Sequence, residues 1–147
     1  MLRYLWAATV IVAMMFIAGC EDKSIVRIND TSFLAHPPTC LKLAVFPSDP
    51  VIERALADRY RFDSRCPWQL AIDTKSGIHC NSNQNAQRKA LTAFPNSYLR
   101  VSIRRGMRTL YSYYIDRTRP ADLEAILDAF SRISKDIDIF AKIEKDD

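Results

Sequence analysis

The chain predicts a small α+β domain, a mostly antiparallel sheet with helices packed on one face, in the order βαβαββα. Three observations lead there. Short apolar runs bounded by turn residues alternate with segments that are apolar at helical spacing. Two alternating runs flank Arg105-Gly106, which reads as a hairpin. The last stretch carries a long apolar stripe of helical period. The chain has 147 residues, so one domain is the default. Its hydrophobic content of 48% suffices for a core once the apolar N-terminus is set aside.

The elements follow in order. Leu41 to Phe46, "LKLAVF", has the pattern of a short buried strand. "PSDPVIERALADRY" follows as a helix. Asp49 is a natural N-cap, Pro50 fits the first helical position, and Glu53 suits the first turn. Ile52, Ala55, Leu56 and Tyr60 form its inward stripe. "WQLAID", Trp68 to Asp73, is a second strand, closed by the turn Thr74-Lys75-Ser76-Gly77. A second helix is expected over "NSNQNAQRKALTAF", capped by Ser82 or Asn83. Ala86, Ala90, Leu91 and Phe94 recur on one side, and Pro95-Asn96 stops it.

The hairpin is "SYLRVSIRRGMRTLYSYYID". With a loop of two or four residues, Leu99, Val101 and Ile103 share a face with Leu110, Ser112 and Tyr114. Tyr98, Arg100, Ser102 and Arg104 then share the other with Met107, Thr109, Tyr111 and Tyr113. A three-residue loop breaks that match. A turn centred on Arg105-Gly106 would also place Arg105 at positive φ, which non-glycine residues disfavour. In the final helix, Leu123, Ile126, Leu127, Phe130, Ile133, Ile137 and Phe140 make the stripe. Asp122 and Glu124 suit its start, Lys142 and Lys145 its end. Ile139, Phe140 and Ile143 could outrun the domain and dock in a partner's groove.

The N-terminus is of another kind. Arg3 is the only charge before Glu21, and residues 4–19 are uncharged. Those 16 residues span about 24 Å as a helix, short against a bilayer core of about 30 Å. A basic start and an apolar middle fit a signal peptide. The run ends Ile17-Ala18-Gly19-Cys20, which resembles the lipobox of bacterial lipoproteins, with Ile where Leu is commonest. The resemblance implies cleavage before Cys20, acylation of its thiol, and a protein anchored in the envelope by several acyl chains, since one chain holds only marginally. Residues 1–19 are then the signal, 20–39 a lipidated start and tether broken by Pro37-Pro38, and 40–147 the domain. Asp directly after the cysteine favours inner-membrane retention. Glu21 stands there instead, which points to the outer membrane of a diderm cell.

Outside the cytoplasm a disulfide is expected among Cys40, Cys66 and Cys80, which allow three single pairings. Cys66–Cys80 is favoured, because it closes a short loop around the central strand. His79 beside Cys80 and Cys66 could contribute to a zinc site. Neighbours on a strand face opposite ways, so they chelate poorly, and no metal or cofactor is expected. There is no phosphate-binding glycine loop, His-Glu-x-x-His or Gly-x-Ser-x-Gly. A non-enzymatic role follows.

Charge is uneven. Residues 98–119 hold six Arg against one Asp, and residues 120–147 are net acidic. The candidate binding residues lie in the basic part: Tyr98, Arg100, Arg104, Arg105, Arg108, Tyr111 and Tyr113. Tyr buries area at little entropic cost, and Arg clamps carboxylates or phosphates. An ordinary solvated sheet face, or rings lying under a helix, would give the same composition. The expectation is a lipid-anchored, periplasm-facing accessory protein that binds and positions an envelope protein. The alternative is a glycolipid- or peptidoglycan-binding module using the Arg/Tyr face. Nucleic acid is not an expected partner.

Overall fold

The structure is a computed structural model that describes residues 24–78 and 95–137. The strands are β1 (Ser24–Ile28), β2 (Lys42–Phe46), β3 (Trp68–Lys75), β4 (Ser97–Arg105) and β5 (Arg108–Arg117). The helices are α1 (Ser32–Ala35), α2 (Pro50–Ala57) and α3 (Leu123–Ile137). The strands form one sheet in the order β1-β5-β4-β3-β2. The predicted helix near residues 82–94, Cys20, Cys80 and Phe140 lie outside the described residues.

The class is α+β, and the sheet is mixed rather than mostly antiparallel. β2 and β3 run parallel, because α2 joins them and a helix crossover returns the chain in the same direction. The other pairings are antiparallel. Asp49 caps α2 as expected, accepting from the Val51 N–H at 2.8 Å and the Ile52 N–H at 3.4 Å. Leu56 and Tyr60 are buried below it. Leu70, Ile72, Leu99, Val101 and Ile103 line the inner face of the sheet. Against them α3 sets Ile126, Phe130, Ile133 and Ile137. The predicted stripe therefore holds at Ile126, Phe130, Ile133 and Ile137, with Leu127 half-buried and Leu123 exposed.

Three expectations are corrected. The first is the tether. Ser24–Ile28 is a sheet strand, paired with β5 from Ser24↔Ile115 to Ile28↔Tyr111. Phe33 of α1 is buried, with its ring 5.6 Å from that of Trp68. The folded unit thus begins inside the segment expected to be a tether, and Pro37-Pro38 breaks the chain between α1 and β2. The physical reason is the open edge of β5, whose backbone donors and acceptors β1 satisfies.

The second is the disulfide. Cys66 pairs with Cys40, not Cys80, at an S–S distance of 2.04 Å and a Cα–Cα distance of 5.9 Å. The parallel pairing explains it. Lys42 sits opposite Gln69, so the segments entering β2 and β3 arrive side by side at one end of the sheet.

The third is the hairpin register. The loop is the two residues Gly106 and Met107, and the positive φ of 60° falls on Gly106, not on Arg105. The register shifts between Ile103, opposite Tyr111, and Arg104, opposite Thr109. Leu110 is the extra residue of a β-bulge. From there on, β5 turns the other way. Tyr111 and Tyr113 therefore join Leu99, Val101 and Ile103 on the core face, and both are buried.

Candidate functional site

With Tyr111 and Tyr113 inside, the seven candidate residues divide among three places. Tyr98, Arg100 and Arg104 stay on the outer face, as their alternation along β4 requires. Asp73 of β3 lies directly opposite Arg100. Its Oδ2 accepts from Arg100 Nε and from Arg104 Nη2, each at 3.1 Å, and Arg100 Nη2 is also 3.1 Å away. Arg104 Nε donates to Ser102 Oγ at 3.1 Å. One carboxylate thus holds two guanidinium groups flat on the sheet, leaving the trio with one net positive charge. Tyr98 stacks on Tyr114, ring centroids 5.6 Å apart, and the Tyr114 hydroxyl donates to Asp116 at 2.7 Å.

Arg105 and Arg108 close the hairpin and belong to the end of the sheet. The Arg105 guanidinium lies 5.1 Å over the Trp68 ring, a cation–π contact. Arg108 pairs with Asp30 at 3.5 Å. The Ser32 hydroxyl, donating to Asp30, is the main reason that its carboxyl is held below the usual range, and Arg108 adds to it. These residues border a depression of about 280 Å³ whose floor is Phe33, Trp68 and Leu110 and whose rim includes His36. Met107 stands fully exposed at the tip beside it.

Tyr111 and Tyr113 are held by α3. The Tyr111 hydroxyl donates to Asp136, and Arg132 lies 5.5 Å over the Tyr113 ring. Burial, followed by the bond to Asp136, raises the Tyr111 pKa. Burial and the bond to Asp116 push Tyr114 up to about 12. A spectrophotometric titration is expected to show these two phenols resisting ionisation well past the ordinary value of about 10. The folded values are raised, so the stability they contribute is complete below about pH 10 and is lost as pH rises through about 12. All tyrosines ionising together near 10 would contradict the assignment.

Composition did not disclose Asp73, Trp68, Asp30 or Tyr114 as site residues. Asp73 was readable in part, since Gln69, Ala71 and Asp73 alternate away from Leu70 and Ile72. Its meeting with Arg100 needed the β3–β4 register. Among the described residues no group of three or more His, Cys, Asp or Glu is placed to hold a metal ion. Comparison of the chain with protein-family models, with curated proteins and with solved structures returns no match.

Proposed function

We propose that this is a lipid-anchored, non-catalytic module of the bacterial envelope that binds an acidic, partly apolar surface of a protein partner through its hairpin end. The supporting observation is the placement of that end. If Cys20 carries the acyl chains, Ser24 lies within about 14 Å of it, since four residues span no more. Ser24 pairs with Ile115, and the hairpin tip lies eight residues back along β5, roughly 25 Å further on. The anchor therefore holds one end of the sheet, and the tip is the opposite end. At that tip Arg105, Arg108 and His36 surround an aromatic floor, the composition that captures carboxylates and rings together.

The test is photo-crosslinking in living cells from a probe at Met107, with Asp128 on the outer side of α3 as the control position. A discrete protein adduct from Met107, lost on charge reversal by Arg105→Glu with Arg108→Glu, is the expected result. Equal adducts from both positions, or an adduct that survives the reversal, would overturn the reading. The mass of the mature protein tests the anchor separately: Cys20→Ala should leave an uncleaved, unacylated precursor.

A further inference from the structure

The outer face of the sheet holds a second depression, unconnected with the hairpin tip. It has a volume of about 270 Å³ and is lined by Ile25, Arg27, Arg100, Ser112 and Tyr114. Its construction follows from the register. Arg27 of β1 sits opposite Ser112, Ile25 opposite Tyr114, and Arg100 of β4 opposite Tyr114 from the other side. Two arginines, on strands roughly 10 Å apart, thus lie on either side of β5, Arg27 beside Ser112 and Arg100 beside Tyr114. Asp73 grips Arg100 through Nε and Nη2 and fixes its plane, while the side chain stays 42% exposed. Arg27 is exposed and has no ion pair among the described residues.

The lining sets this depression apart. The one at the hairpin end includes Asp30, and the one beside the start of α3 includes Asp122, Glu124 and Asp128. Here two arginines and a serine share the lining and no carboxylate is part of it, Asp73 meeting Arg100 from outside the depression. That donor set suits a tetrahedral oxyanion: Arg27 offers a whole guanidinium fork, and Arg100, held by Asp73 through Nε and Nη2, offers its remaining Nη1 edge. Ile25, 43% exposed at the rim, adds an apolar contact beside the anion.

We propose that this depression binds phosphate, and that its source is the headgroup of an anionic membrane lipid. The choice of source rests on the anchor in the reading above. Ile25 is five residues from Cys20 and can lie no more than about 18 Å from an acylated thiol at the membrane surface. The site is thereby tied near headgroups, while the hairpin end is held away from them. A headgroup bound there would fix the orientation of the sheet on the membrane.

The experiment uses the full mature chain with nitrogen-15 in its arginines, and follows the side-chain N–H signals. In zwitterionic detergent, inorganic phosphate should shift Arg27 and Arg100 saturably, and chloride at equal ionic strength should not. Arg27→Ala should weaken phosphate about tenfold, the loss of one charge-assisted contact pair. Arg27→Lys should recover part of it. Arg27 is exposed on the edge strand, so both variants are expected to fold. In nanodiscs, adding phosphatidylglycerol to phosphatidylcholine should move the same two signals. Shifts that are linear, are matched by chloride or titrate with unchanged affinity in Arg27→Ala would overturn the site. Saturable phosphate binding with no response to phosphatidylglycerol would overturn the lipid source. Loss of the anchor alone would be read from the absence of acyl mass, with phosphate binding in detergent unchanged.

Discussion

Breaking the Cys40–Cys66 bond is expected to lower the stability of the domain by roughly 3.5 kcal/mol. The bond closes a segment with a sequence separation of 26, and chain-entropy bookkeeping for a loop of that size gives this magnitude. Domains of this kind have only about 5–15 kcal/mol in all, so the loss is severe. Cys40→Ala and Cys66→Ala should behave alike, and the double variant should be no worse than either, since each removes the same constraint. Cys80→Ala should leave the bond in place. Urea unfolding with and without reductant measures this, and non-reducing peptide mapping checks the partner. Cys66 linked to Cys80 in that map, or a Cys40→Ala protein as stable as the parent, would refute it. The bond also ties down the chain just after His36, at the rim of the hairpin-end depression. The same variants should therefore weaken crosslinking from Met107 more than they affect phosphate at Arg27, which lies on the opposite face.

The parts legible in the sequence are those that depend on local chemistry. The Asp49-Pro50 start of α2, the apolar runs of β2 and β3 and the stripe of α3 each declare themselves within a few residues, and the helices do cover one face. What stayed hidden depends on partners distant in the chain. "SIVRI" is five residues with no strand length to spare, and it is a strand only because β5 offers an open edge. The disulfide follows from β2 and β3 being parallel neighbours, a tertiary fact that loop length does not encode. The bulge is the sharpest case. One extra residue at Leu110 leaves β4 as expected and inverts every side chain of β5 beyond it. The candidate site divided at that residue: the three members on β4's outer face kept their place, and Tyr111 and Tyr113 exchanged the surface for the core.

That inversion makes the strongest mutational test. Tyr111→Ala is expected to destabilise the domain by about 3–5 kcal/mol, the range for deleting a buried aromatic ring. Tyr111 is fully buried, among the largest such side chains, and its hydroxyl is joined to Asp136 on α3. Tyr111→Phe separates the two contributions. It keeps the ring and removes only the hydroxyl, so it should cost about 1–2 kcal/mol, with Asp136 left to find water. Tyr98→Ala is the control. Tyr98 is half-buried on the outer face and gains mainly from its stack with Tyr114, so its loss should cost about 1 kcal/mol. The order Tyr111→Ala, then Tyr111→Phe, then Tyr98→Ala follows only if the chain bulges at Leu110. Without the bulge Tyr111 shares the outer face with Tyr98, and its truncation becomes a surface change of comparable, small effect. Urea unfolding of the three variants therefore decides which tyrosines are available to a ligand. A loss below about 1 kcal/mol for Tyr111→Ala would return that ring to the binding face.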